Sequence, residues 1–110
     1  FVDDMADASF FIMNLTKKAY QAETKPMLSH INIGTGEDLT IRSLAELMKN
    51  IVGFKGNLRF DSSKPDGTIQ KLLDTNLLSN LGWSYNVKLK EGLEKTYEWF
   101  LTNNNNARNS

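Results

Sequence analysis

The chain has 110 residues, 40% hydrophobic and 24% charged, enough for one domain or a piece of one with a real core. Thirteen basic residues balance thirteen acidic ones, so no net field draws the chain onto nucleic acid or an anionic membrane. Cysteine is absent, which excludes a disulfide framework, a thiolate nucleophile and a cysteine-based zinc site and fits a cytoplasmic chain; no apolar run approaches the roughly 18 residues of a membrane span.

The first predicted element is a helix over residues 3–19. Asp3 or Asp4 is placed to cap it and to favour its positive end. Phe10, Phe11, Ile12 and Met13 make it apolar on every side, the pattern of a helix covered all round. The chain enters this pattern directly from Phe1, which reads as a cut made in front of a helix. On that reading the apolar helix docks on further sequence or drives self-association.

Residues 20–29 are polar, contain Pro26 and read as a loop. A short strand is expected over residues 30–33, and Gly34-Thr35-Gly36 turns the chain. Thr40 then caps a helix whose apolar positions Ile41, Leu44, Ala45, Met48, Ile51 and Val52 follow helical spacing. Gly53 suits the left-handed residue that ends it. A second strand is expected over residues 57–60, then a run of turn formers from Asp61 to Thr68. Residues 70–73 are expected to be extended. Asp74 or Thr75 caps a short helix that stops at Gly82. The last helix is predicted over residues 88–102, with Leu89, Leu93, Tyr97, Phe100 and Leu101 on one face. Residues 103–110 read as a polar, disordered tail.

Several patterns carry possible chemistry. Gly34-Thr35-Gly36 sits between a predicted strand and a helix, where a dinucleotide fingerprint belongs, but Leu39 stands where its third glycine would fall. A simple strand-to-helix turn accounts for it. Asp3 and Asp4 are adjacent on a helix and do not face one point, so capping is the better reading than a carboxylate pair. His30 is the one histidine and has no evident nucleophile or orienting partner in the sequence. A Tyr with a Lys four residues later would give a reductase proton donor, yet Tyr20, Tyr85 and Tyr97 are followed at that distance by Thr24, Leu89 and Leu101.

The segment 61–71 differs from these. It groups Lys64, Asp66 and Lys71 around Pro65 and Gly67. An ammonium group contacts phosphate as a point charge, and a carboxylate accepts from sugar hydroxyls, so this set suits a phosphorylated, hydroxyl-rich ligand. Each charge-assisted bond contributes roughly 1.5–3 kcal/mol. On composition alone a solvated turn accounts for the same residues.

At this loop the chain resembles a known family. Lys64-Pro65-Asp66-Gly67-Thr68 followed by Lys71-Leu72-Leu73-Asp74 is similar to the C-terminal signature of GDP-L-fucose synthases, which are extended short-chain dehydrogenase/reductases. Phe1-Val2-Asp3-Asp4-Met5-Ala6, the segment Pro26 to Gly36, Leu81-Gly82-Trp83 and the segment Thr96 to Leu101 agree with the family's flanks. The resemblance spans residues 1–102. Its V-D-D, N-I-G-T-G and L-G-W elements are shared with many nucleotide-sugar epimerases and dehydratases, which commonly carry R-P-G-D where this chain has K-P-D-G.

The resemblance implies an α/β fold: the C-terminal substrate-binding lobe of an extended short-chain dehydrogenase, with about four helices and short strands, and with the Rossmann domain absent from this chain. It implies a parent enzyme that converts GDP-4-keto-6-deoxy-D-mannose to GDP-L-fucose by epimerisation at C3 and C5 and then reduction at C4 by NADPH. The NADPH site and the catalytic residues would lie upstream, so catalytic and cofactor-binding residues are expected to be absent here and the fragment alone inactive. By residue match, Asp66 inherits a contact to the GDP part of the substrate and Lys71 one to the pyrophosphate, with Lys64 a third candidate. Ile69-Gln70 stands where many members have Pro-Arg, which removes one cation near the phosphates. Expected partners are the GDP-sugar, the upstream Rossmann domain and, for the whole protein, a second copy in a homodimer; no metal, nucleic acid or membrane is expected. Two alternatives remain: another nucleotide-sugar epimerase or dehydratase of the same superfamily, and a free-standing binding module that uses the apolar first helix as its partner surface.

Overall fold

The computed structural model describes residues 1–65, 67 and 69–107. Its helices are α1 (Val2–Met13), α2 (Lys17–Glu23), α3 (Ile41–Val52), α4 (Asn76–Asn80) and α5 (Leu89–Ala107). The chain divides into two compact units. The first joins Phe1–Asp38 to Gln70–Asn86, and the second joins Leu39–Ile69 to the chain from Val87 onward.

In the first unit, the single helix expected over residues 3–19 is two helices. Asn14 ends α1 and its side-chain amide donates to the Phe10 carbonyl at 2.8 Å. Thr16 is extended, with ψ 149°, and its hydroxyl accepts from the Ala19 N–H at 3.2 Å, which starts α2. Short polar side chains that bond nearby backbone in this way favour helix ends over interiors. The first turn of α2 therefore occupies residues read as the end of α1, and α2 continues into the expected loop. Beyond it, Lys25 and Leu28 close a turn through an isolated bridge. Met27 in that turn takes φ 71°, the left-handed region.

The core of this unit is Ala8, Leu78 and Trp83, with Phe11, Ile12, Ile31, Ile33 and Tyr85 packed around it. The α1 helix is buried on one side only: Ala8 is fully covered, whereas Phe10 and Met13 are 68% and 83% exposed. The expected carboxylate cap at its start is not formed. Phe1 is the N-cap residue, without a side-chain capping bond. Asp4 instead lies buried, and its Oδ1 accepts from the Asn86 N–H at 3.0 Å.

In the second unit, α3 packs against α5. Thr40 caps α3 as expected: its hydroxyl accepts from the Ser43 N–H at 3.1 Å. Gly53 ends the helix at φ 69°, a conformation glycine adopts at low cost. Leu44, Ala45, Met48 and Ile51 are half-buried, as the amphipathic pattern requires. The α5 helix runs to Ala107, past the boundary expected at residue 102. Asn103 and Thr102 donate to the carbonyls of Trp99 and Glu98 on the preceding turn, so the polar run is accommodated as helix.

The fold is mostly helical. Among the described residues, the segments 30–33, 57–60 and 70–73 join no β-ladder. A strand is defined by a paired neighbour, which alternating apolar residues do not by themselves supply. Among the described residues there are five helices, and the four helices with short strands expected for the α/β lobe are not reproduced in that detail. Among the described residues, no helix is long and apolar enough to cross a membrane.

Candidate functional site

The loop singled out in the sequence is divided between the two units. Lys64 belongs to the second and Lys71 to the first, and both are exposed. Asp66 lies outside the described residues, as does Thr68. Neither Lys64 nor Lys71 forms an ion pair among the described residues, where the salt bridges Lys90–Glu94 and Lys95–Glu91 lie on α5.

The second-unit end of the loop is shaped by local bonds. The Asp61 carboxylate accepts from the Ser63 hydroxyl at 2.6 Å and from the Ser63 N–H at 3.0 Å. These two bonds hold its pKa below the usual carboxylate value, against a smaller opposing effect of desolvation. The Lys64 N–H approaches the Asp61 carbonyl at 3.5 Å, so Lys64 stands at the end of the turn that Asp61 organises. Just before it, the Arg42 guanidinium stacks over the Phe60 ring at 4.1 Å from the centroid.

The first-unit end is held by longer-range contacts. Asn32 donates through Nδ2 to the Asp74 carbonyl at 3.1 Å. The Asp74 carboxylate accepts from the Asn76 N–H at 3.0 Å just ahead of α4, whose N-cap is Thr75 without a side-chain capping bond. The Gly34-Thr35-Gly36 turn lies against the same stretch. A Cβ on Gly34 would meet Thr75 Cγ2 at 3.2 Å and Leu73 at 3.8 Å; one on Gly36 would meet Thr75 Oγ1 at 3.2 Å. The glycines therefore serve close packing. They do not fit a dinucleotide, because Thr75 occupies the approach that a pyrophosphate would need and no helix starts at the turn: α3 begins only at Ile41.

Beside the core, a cleft of about 140 Å³ is lined by Thr35, Thr75, Ser79, Trp83, Ser84 and Tyr85. The Tyr85 hydroxyl donates to Glu37 Oε1 at 2.7 Å, across 48 residues of sequence. That bond, followed by desolvation and the Glu37 charge, raises the Tyr85 pKa above 10.0. A tyrosine held in its neutral form in this way is a hydrogen-bond donor at neutral pH and a poor base. His30 lines a second cleft of about 210 Å³ with Glu23, Lys25, Leu28 and Leu77. Among the described residues, no cluster of three or more His, Asp or Glu side chains is placed to hold a metal ion.

The sequence reading did not foresee the Tyr85–Glu37, Asn32–Asp74, Asp4–Asn86 and Trp83–Asp7 contacts. Their partners lie 42 to 82 residues apart. No periodicity or local spacing signals such a pair. The placement of Asp4 in the buried first turn of an apolar helix is the one hint, since a buried carboxylate requires donors.

No family model matches the chain. It is 52% identical over 107 residues to GDP-L-fucose synthase of Escherichia coli, an alignment that covers 97% of this chain and 33% of that protein. It is 48% identical over 102 residues to GDP-L-fucose synthase 1 of Arabidopsis thaliana, covering 93% of this chain and 29% of the relative. Among solved structures, it resembles a GDP-6-OMe-4-keto-L-xylo-heptose reductase from C. jejuni, with a TM-score of 0.78 and 42% identity over 91% of this chain and 29% of that one. A GDP-D-glycero-L-gluco-heptose synthase from Campylobacter jejuni, solved with NADPH, gives a TM-score of 0.75 and 39% identity, covering 89% of this chain and 28% of that one. The class these matches define is the GDP-sugar reductases of the extended short-chain dehydrogenase/reductase family, and the matched part is their C-terminal portion. Within that class the chain belongs to the GDP-L-fucose synthase family, as its sequence relatives do, and it spans about a third of their length.

Proposed function

We propose that this chain is the substrate-binding part of an NADPH-dependent enzyme that converts GDP-4-keto-6-deoxy-D-mannose to GDP-L-fucose, by epimerisation at C3 and C5 and reduction at C4. The observation that carries the reading is the 52% identity to the E. coli GDP-L-fucose synthase over almost the whole chain. The K-P-D-G-T loop and the exposed Lys64 and Lys71, which form no ion pair among the described residues, support it. In this reading Lys71 contacts the pyrophosphate, Asp66 the GDP moiety, and Lys64 adds a third polar contact. NADPH and the catalytic groups belong to the remainder of the protein, which works in the cytoplasm as a homodimer.

The chain alone is then inactive, because a ligand held by this part only would lose much of its buried surface and every reacting partner. The test is NADPH oxidation with GDP-4-keto-6-deoxy-D-mannose, followed for the full-length protein and for this chain by itself. Turnover by the full-length protein and none by the chain is the expected result. Turnover by the chain alone, or none by the full-length protein, would overturn the reading.

A second reading keeps GDP-sugar reduction and changes the sugar. The 42% identity to a GDP-keto-heptose reductase favours it. Comparing kcat/KM for the 6-deoxy-hexose and heptose substrates separates the two.

A further inference from the structure

We infer that Asn32 is a positioning residue: together with Gly34 and Gly36 it sets the register of the segment 73–75 and so fixes where Lys71 leaves the fold. This rests on the reading of Lys71 as a phosphate contact.

Lys71 is exposed and lies in a stretch without regular secondary structure. A lysine on an unrestrained segment makes a weak phosphate contact, because ordering the backbone and the side chain opposes binding. The structure supplies restraint three residues downstream. The Asn32 amide bonds the Asp74 backbone carbonyl at 3.1 Å. A backbone acceptor reports chain register and not side-chain identity, so this bond fixes the position of the main chain. Gly34 and Gly36 bring their own backbone close enough that a Cβ on either would lie 3.2 Å from Thr75. Gly36 also has φ 73°, which disfavours any replacement with a side chain. On the far side, Asp74 holds Asn76 and Thr75 precedes α4, whose Leu78 is 1% exposed in the core. The segment 73–75 is thus gripped from the turn and anchored to the core, and the exposed Lys71 lies two residues upstream of it.

This gives the glycine turn a use that dinucleotide binding does not. The side chain of Asn32 acts on the ligand only through Lys71, so the two residues should be energetically coupled.

The experiment is a double-mutant cycle in the full-length protein, with GDP affinity read by calorimetry for wild type, Asn32→Asp, Lys71→Ala and the pair. Asn32→Asp keeps the shape of the side chain and removes its donor. The expected result is weaker GDP binding for Asn32→Asp, on the order of 3- to 10-fold, with no further loss when it is added to Lys71→Ala. Asn32→Gln, which keeps a donor, should recover part of the affinity. The effect should appear in KM for the GDP-sugar with kcat largely retained. If Lys71→Ala leaves GDP affinity unchanged, the assignment of Lys71 is wrong. If Lys71→Ala weakens binding but Asn32→Asp does not, or if the two losses add in full, the positioning role is wrong and the assignment of Lys71 stands.

Discussion

The polar contacts described for the two units differ in their span along the sequence. In the first, the polar contacts span the sequence: Asp4 to Asn86, Asp7 to Trp83, Glu37 to Tyr85 and Asn32 to Asp74. In the second, the hydrogen bonds and ion pairs described are local, such as Thr40 to Ser43, Asp61 to Ser63, and the Lys90–Glu94 and Lys95–Glu91 pairs one turn apart on α5. Long-range bonds close large loops and make distant segments depend on each other. Local bonds stabilise an element without tying it to another. Segments 1–38 and 70–86 should therefore lose order together, whereas in the second unit α3 is tied to α5 by packing and to Phe60 by the Arg42 stack.

The largest break in that contrast comes from Asp4. Replacing it by Ala removes the acceptor of the Asn86 N–H in a buried position and should cost about 1–3 kcal/mol. In the full-length protein, peptide-resolved hydrogen exchange should quicken in both halves of the first unit, 1–38 and 70–86. Faster exchange confined to α1 would contradict the coupling. Thr40→Ala should cost about 1 kcal/mol, the usual loss for an N-cap. Its faster exchange should centre on the first turn of α3 and reach Phe60, on which Arg42 stacks; unchanged exchange at Phe60 would contradict that contact in solution.

The smallest effect is a titration. Tyr85 has its pKa raised by the bond to Glu37. A raised folded pKa means the bond's contribution is fully present below the unfolded value of about 10 and is lost as pH rises through the folded value. The phenolate absorbance assigned to Tyr85, by difference from Tyr85→Phe, should emerge above pH 10 and move down in Glu37→Gln. Ionisation of Tyr85 at the ordinary value in the wild type would contradict the bond in solution.

The helix α3 of the second unit was the more legible in the sequence, because the bonds described at its ends are local. Thr40 and Gly53 bracket α3 because capping and left-handed termination act within a turn. The same local logic, applied too broadly, merged α1 and α2: apolar periodicity ran past Thr16, and the side chain of Thr16 restarted the helix. Strands were expected at 30–33 and 57–60 because β-branched and apolar residues favour extended backbone, but pairing depends on neighbours that composition does not reveal. The polar run after Thr102 read as a tail, yet Asn103 bonds the preceding turn and α5 continues to Ala107, with residues 108–110 outside the described residues. The proposed contacts of Lys64, Asp66 and Lys71 come from residue type, spacing in one loop and the family resemblance, and Asp66 lies outside the described residues. Asn32 was legible only as part of an expected strand, and Gly34 and Gly36 only as a turn, since their contact with 73–75 is made across the sequence.

The central claim is that the loop ending in Lys71 receives the phosphates of a GDP-sugar. Calorimetric titration of GDP-L-fucose into the full-length protein and into its Lys71→Glu variant tests it most directly. The account predicts a loss of at least about 10-fold on charge reversal, the equivalent of one charge-assisted bond, with UDP-glucose binding poorly to both. Equal affinity of wild type and variant for GDP-L-fucose would contradict it.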